Sequence, residues 1–296
     1  MMIHHKKNLL DKERAEVTPH YQVSAGFTLV ELLVTIAIIS MLASIILTNV
    51  NSAREKARIA AGKHLYAQLD STMSEVVGKW SFEEGSGGTV RDGSGYGNNG
   101  TINGGASWQT ASQCGLGLGG CLSFDGVDDY IQVPHSESLA VVRQLTMTAW
   151  VYRTADCPVV ADTCMIANKE FDYEFGIRSG NTLQWAIKPS GGTWFWHNTG
   201  IVVPQEKWTH VAISYDGSKV VAYRDGRREE SFDYNVGDLE RSGTVLQISG
   251  RPTQPTGSRF NGFIDEVRIY SEALTAYQIQ QMYAEGASKH RVAENN

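Results

Sequence analysis

From Phe27 to Val50 the chain is apolar at nearly every position, and Glu31 is the only charge between Phe27 and Leu47. At a helical rise of 1.5 Å per residue this stretch reaches about 36 Å, enough to cross a hydrocarbon core of about 30 Å with some tilt. The pattern predicts a transmembrane helix over 27–50. From Ser52 to Val77, Ile59, Tyr66, Leu69, Met73 and Val76 recur at three- and four-residue steps, so a second, amphipathic helix is expected there and Gly78 should end it. After Trp80 the period changes to two. In Leu145–Tyr152, Leu145, Met147, Ala149 and Val151 share one face while Thr146, Thr148, Trp150 and Tyr152 share the other. Thr209–Tyr215 repeats the alternation, and Asp216-Gly217, Val220–Tyr223 and Asp225-Gly226 read as two consecutive hairpin turns. Many short strands separated by Gly-rich turns predict a mainly β chain: a long N-terminal α-helix followed by an antiparallel β-sandwich of jelly-roll type.

A lone carboxylate at the edge of an apolar span is costly, so Glu31 needs a partner or a task. Small residues Ser24, Ala25 and Gly26 precede the span rather than follow it, which is the wrong order for an ordinary secretory signal. The segment AGFTLVELLVTIAIISMLASIIL closely resembles the N-terminus of type IV prepilins and type II secretion pseudopilins. That resemblance implies cleavage by a prepilin peptidase after Gly26, N-methylation of Phe27, and an assembly role for Glu31, whose carboxylate would pair with the terminal amine of a neighbouring pilin subunit. Residues 1–26 are then a leader. Lys6, Lys7, Lys12 and Arg14 in it favour a cytoplasmic N-terminus and an exported C-terminal bulk; Arg54, Lys56, Arg58 and Lys63 weaken that argument, and the resemblance decides it.

Charge narrows the partners. The whole chain carries −6. The leader has four basic and three acidic residues, so the chain beyond Gly26 carries −7. An acidic exterior with no basic groove argues against nucleic acid as the main partner.

The pieces WSFEEGSGGTVRDGSGYGNNGTINGG, LSFDGVDDYIQVP, LTMTAWVY, KWTHVAISYDGSKVVAYRDGR and FNGFIDEVRIYSEALTAYQIQQMY follow one another in an order that resembles the laminin-G-like domains of the concanavalin A-like lectin/glucanase fold. The resemblance implies a two-sheet jelly roll that binds an extracellular glycan or protein. The expected division is therefore leader 1–26, transmembrane or filament-core helix 27–50, amphipathic stalk 51–78, laminin-G-like domain 79–286 and a polar tail 287–296.

Three groups of residues are candidate chemistry. Alternation puts Asp265 on the face of Phe263, Val267 and Ile269, which would bury its carboxylate and call for a cation or tight hydrogen bonding. The laminin-G resemblance implies a structural Ca²⁺ held by Asp265, Asp92 and oxygens near Asn98, and oxygen-only ligands suit that ion. Asp125, Asp128 and Asp129 form another acidic cluster, explained mostly by turn chemistry. Glu170, Asp172 and Glu174 would share one face of a strand and resemble the E-x-D-x-E catalytic strand of family 16 glycoside hydrolases, where two carboxylates about 5–5.5 Å apart do retaining chemistry. The surrounding residues fit an ordinary laminin-G-like hairpin as well, so a binding module is the first reading and a membrane-tethered glycan hydrolase the alternative.

Trp194 and Trp196 share a face of an extended segment and with Trp185 could form a platform for sugar rings, or serve as core. Cys114, Cys121, Cys157 and Cys164 fall as two C-x6-C pairs in loops, which in an exported domain read as two local disulfides, although three connectivities are possible. Neither a Ser-His-Asp arrangement, a phosphate-binding glycine loop nor an H-E-x-x-H motif occurs.

Overall fold

The structure is a computed structural model and describes residues 28–41, 75–115, 119–157, 163–254 and 257–290. Two compact units divide the chain between Lys56 and Ala57. In the first, α1 spans 29–41. Thr28 and Glu31 start it as a capping box: the Thr28 amide and hydroxyl donate to Glu31 Oε2 at 2.9 and 2.8 Å, and the Glu31 amide donates to Thr28 Oγ1 at 3.3 Å. Leu29, Val30, Ile36, Ile38, Ile39 and Met41 are all exposed, so α1 has no polar face and calls for apolar surroundings. Among the described residues no helix is long and apolar enough to cross a membrane. The expected span 27–50 extends past α1, and Gly26, Phe27 and 51–74 lie outside the described residues.

The second unit is an antiparallel β-sandwich. Sheet I runs β14 (Arg227–Asp233), β13 (Lys219–Arg224), β12 (Thr209–Tyr215), β7 (Leu145–Arg153), β16 (Asn261–Tyr270), β5 (Gly120–Asp125) and β4 (Ser107–Thr110), with β1 (Val76–Trp80) also paired to β16. A single helical turn, α2 (Ala111–Cys114), follows β4. Sheet II runs β11 (Phe195–Val202), β10 (Thr182–Ile187), β9 (Tyr173–Arg178), β8 (Thr163–Lys169), β15 (Leu246–Ile248), β6 (Tyr130–Val133), β3 (Gly100–Asn103) and β2 (Thr89–Val90). Trp80, Phe124, Ile131, Tyr173, Trp185 and Tyr215 fill the space between the sheets, each at most 1% exposed. Apolar burial of this kind is the main favourable term in folding.

The predicted strand Thr209–Tyr215 is β12. Between Arg224 and Arg227, Asp225 and Gly226 take φ of 50° and 72°, the pair of positive angles that a two-residue hairpin needs. Both cysteine pairs are local disulfides, Cys114–Cys121 and Cys157–Cys164. Two boundaries differ from the sequence reading. Val76, Val77 and Gly78 belong to β1, antiparallel to β16, rather than to a helix ended by Gly78. The β-branched valines have a sheet edge to join, and tertiary pairing overrides the three- and four-residue spacing. At the other end, a helix (α3, Ala276–His290) runs past the expected domain end at 286, with Ala287 and His290 buried, so residues 287–290 are not a polar tail.

α3 lies on the outer face of sheet I. Ile279 and Met282 bury themselves with Ala212, Tyr223, Tyr270 and Leu274. Trp150 of β7 is sandwiched between His290 (centroids 4.1 Å, planes 4° apart) and Tyr283 (5.5 Å, 20°). The approach is close: a Cβ on Gly286 would stand 2.3 Å from Trp150 Nε1.

Candidate functional site

The outward side of sheet II carries a row of residues in cross-strand register: Gln132 on β6, Gln247 on β15, Asn168 on β8, Glu174 on β9, Ala186 on β10 and Trp196 on β11. Their strand neighbours Ile131, Leu246, Ile248, Tyr173 and Phe175 point into the core, so period-two alternation puts this row on the other side. Trp196 is 47% exposed, and Trp194 next to it is half-buried with its ring stacked on Trp196 (5.4 Å, 28°). Trp185 does not join them. It is fully buried against Phe195, Phe232 and Tyr234, on the inward side of β10, which removes it from the expected platform.

Glu174 organises what lies beside the tryptophans. Its Oε1 accepts from Trp196 Nε1 at 2.8 Å and its Oε2 from Asn168 Nδ2 at 2.5 Å, and both oxygens accept from Arg251 Nη2. Glu170 Oε2 lies 3.7 Å from Arg251 Nε. Burial pushes the Glu174 carboxyl above the usual range while Arg251 and Trp196 pull it down, and Glu170 adds a smaller upward push. Four buried polar atoms of this face have no hydrogen-bond partner: the acceptors Asn168 Oδ1, Gln247 Oε1 and Glu170 Oε2, and the donor Arg251 Nε.

The strand expected through Glu170, Asp172 and Glu174 is a hairpin. Lys169 closes β8, Tyr173 opens β9, Asp172 N donates to Lys169 O at 3.0 Å, and Phe171 sits at the tip with φ of 68°. Asp172 therefore turns away from Glu174 to its own partners. Its carboxylate takes Lys169 Nζ at 2.6 Å and the Ser242 amide at 2.6 Å, and both members of the lysine pair are fully buried. The three acids do not line one groove. Arg251, the residue that joins Glu170 to Glu174, lies 77 positions beyond Glu174 and has no local signature in the sequence.

The expected Ca²⁺ ligands are also separated in role. The register of β16 shifts between Asp265 and Arg268, and Glu266 has φ of 51°. This bulge breaks the alternation. Ile264, Val267 and Ile269 enter the main core while Asp265 turns outward with Phe263 toward α3, so Asp265 does not share the face of Val267 and Ile269. Its Oδ2 meets Lys289 Nζ at 2.8 Å and His290 Nε2 at 2.9 Å, and its Oδ1 accepts the Glu266 amide. Asp92 spends both oxygens on the Lys79, Ser94 and Asn98 amides and the Ser94 hydroxyl, stapling the glycine-rich loop. Asn98 holds Val77 O, Ser136 and Ser138. With a lysine on one carboxylate and four donors on the other, these residues do not fit a Ca²⁺ centre. Asp125, Asp128 and Asp129 bring oxygens within 4.8 Å of one another. Asp129 is nonetheless a turn staple, accepting the Asp125 amide at 2.8 Å and the Gly105 amide, and burial raises its pKa.

The cluster around Asp265 is titratable and lies beside a half-open cavity. A cavity of about 250 Å³ there is lined by Glu83, Trp150, His210, Glu266, Arg268 and Lys289. Burial raises Asp265 to about 7 and Glu266 to about 8, with neighbouring carboxylates adding to the rise and Lys289 opposing it, and burial lowers His210 and His290 to about 3. Gly286 O can only accept, so His290 Nδ1 donates to it, and a neutral ring offers Nε2 to Asp265 as an acceptor. That arrangement favours the protonated form of Asp265, as burial does, while Lys289 Nζ on the same Oδ2 opposes it.

Residues 125–280 match the model of a family described as the concanavalin A-like lectin/glucanases superfamily. The chain belongs to this superfamily. Residues 22–47 match the prokaryotic N-terminal methylation motif. No curated protein matches the chain. Among solved structures, domain 4 of AbnA, a GH43 extracellular arabinanase from Geobacillus stearothermophilus in complex with arabinotriose, is 21% identical with a TM-score of 0.54, covering 71% of this chain and 98% of that one. The binding domain of Paraclostridial Mosquitocidal Protein 1 is 16% identical (TM-score 0.56; 71% and 52% covered), and a botulinum neurotoxin serotype D ligand binding domain in complex with N-acetylneuraminic acid 13% (0.54; 74% and 52%). This chain spans about half the length of the two toxin domains. At these identities the likeness is one of fold.

Proposed function

We propose that this chain is a pilin-like or pseudopilin subunit that displays its superfamily domain outside the cell to bind glycans in adhesion. A prepilin peptidase would cut after Gly26, Phe27 would be methylated, and the apolar helix would anchor the chain in the membrane before packing with other pilin subunits. The methylation motif over 22–47 and the all-apolar surface of α1 support that half of the reading. In the uncut chain Glu31 caps its own helix, and the terminal amine created by cleavage would compete with Thr28 for it.

The observation that carries the binding half is the stacked Trp194–Trp196 pair, with Trp194 half-buried and Trp196 exposed and anchored through its indole Nε1 to a buried Glu174. Flat indole faces take the C–H face of a sugar ring with little ordering cost, and the polar rim beside them meets hydroxyls. One similar fold was solved with arabinotriose, a neutral oligosaccharide, which supports a glycan as the class of ligand here. The role is binding rather than hydrolysis: Glu174 is clamped by Arg251, Asn168 and Trp196, and Asp172 by Lys169, which leaves this hairpin no free acid/base pair. Two measurements test the proposal. Mass spectrometry of the membrane-extracted protein should find a methylated Phe27 at the N-terminus. A glycan array probed with the full chain in detergent should give signal that Trp196→Ala removes; an uncut N-terminus, or an array that stays blank, would overturn the corresponding half.

A further inference from the structure

The charges around the tryptophan pair are unevenly balanced. Lys169 and Asp172 neutralise one another, both fully buried, and Lys188 pairs with Glu240 at 2.8 Å beside the turn that leads into Trp194. That leaves Glu170 and Glu174 facing one guanidinium, Arg251, a net charge of −1. The Arg251 side chain is 12% exposed, and those of Glu170 and Glu174 are 7% and 2% exposed. Among the described residues the guanidinium is thus the one cation that keeps these two nearly buried carboxylates compensated, and it lies beside the indole whose Nε1 bonds Glu174.

A glycan carrying a carboxylate would need a cation where it meets Trp196. Arg251 is the cation at that spot, and with Glu170 and Glu174 already facing it a third carboxylate would take the local charge from −1 to −2 beside two nearly buried acids, which like-charge repulsion at low dielectric makes costly. A neutral sugar needs no such exchange. Its hydroxyls donate to carboxylate oxygens, and Glu170 Oε2, Asn168 Oδ1 and Gln247 Oε1 are acceptors of this face that lack a donor. We infer that the Trp194–Trp196 site selects uncharged glycans and rejects uronic and sialic acids, with Glu174 and Arg251 as the residues that set the discrimination. This rests on the proposal that the tryptophan pair is a glycan site.

The test is an affinity comparison on the full chain in detergent, using neutral probes (lactose, and laminari-, xylo- and arabino-oligosaccharides) and acidic ones (sialyllactose, oligogalacturonate and hyaluronan oligomers). At least one neutral probe should bind in a manner abolished by Trp196→Ala, with acidic probes weaker by about 30-fold or more, the scale expected for bringing a like charge beside nearly buried, undercompensated carboxylates. Glu174→Gln should narrow that gap by raising affinity for the acidic probes, and Glu170→Gln should do so more weakly. The wild-type ratio decides by itself if either variant melts early. Acidic probes that bind as tightly as neutral ones through Trp196 would overturn the charge selection and leave the glycan site standing. Binding indifferent to Trp196, or none to any probe, would overturn both.

Discussion

The two outer faces of the sandwich each carry a buried carboxylate that points away from the core, and they treat it in opposite ways. On sheet I, Asp265 is covered by the chain's own α3, which supplies Lys289 and His290 and stacks His290 on Trp150. On sheet II, Glu174 is covered by Arg251 and by a tryptophan that remains 47% exposed. In one case the aromatic that accompanies the acid is consumed by packing; in the other it is held rigid and left open. A buried charge with an aromatic neighbour is therefore no signature of a site by itself. What separates the faces is whether the chain has already covered the ring.

The comparison breaks first at Trp150. Trp150→Ala should cost about 3–5 kcal/mol in unfolding experiments, as for other large core truncations, while glycan binding on the opposite face stays at the wild-type level. A small loss of stability would mean that α3 is not the cover described. Gly286→Ala should cost about 1–3 kcal/mol despite alanine's better helix propensity, because its Cβ would stand 2.3 Å from the Trp150 indole. A gain in melting temperature would contradict the close approach.

The pH dependence sharpens the contrast. Asp265 and Glu266 hold protons in the folded state, near 7 and 8, that the unfolded chain releases near 4, so their share of stability is present at low pH and is lost as pH rises through about 7 to 8. His210 and His290 work the other way: they stay neutral when folded down to about 3, so their share is present above about 6.5 and is lost as pH falls toward 3. The slopes oppose each other between about 4 and 6.5, and above about 6.5 only the carboxylates act. Thermal melts should therefore fall from pH 6.5 to 8.5, and Glu266→Gln should flatten that fall. The smallest stability effect belongs to the open face: Trp196→Ala should change unfolding free energy by less than about 1 kcal/mol, since the ring is half exposed, yet abolish binding.

Much of the sandwich was legible because period-two alternation and Asp-Gly turns are local signals, as at Thr209–Tyr215 and Asp225-Gly226. Two of the differences share a cause. At Phe171 and Glu266 the backbone adopts a positive φ without a glycine to announce it, so a hairpin tip and a bulge both passed for continuous strand, and the faces assigned to Asp172 and Asp265 came out wrong. Val76 and Val77 kept helical spacing but joined a sheet edge. Arg251 and Lys289 were missed because charge partners from distant segments leave no pattern in the neighbourhood of the acid they neutralise. The T-x-x-E box at Thr28–Glu31, by contrast, is a readable helix-start signal. The Trp194–Trp196 pair was legible as a shared face, and its exposure was decided only by which side of β11 meets Phe232 and Tyr234.

The central claim is that the open tryptophan pair, and not the covered cluster under α3, is where this protein meets its ligand. Titrating a neutral oligosaccharide into the full chain, alongside a Trp194→Ala/Trp196→Ala double variant, measures it directly. The account predicts affinity weaker by at least about 100-fold in the variant, the scale expected when a two-ring stacking anchor is removed, with the melting temperature nearly unchanged. Wild-type affinity in the double variant would contradict it.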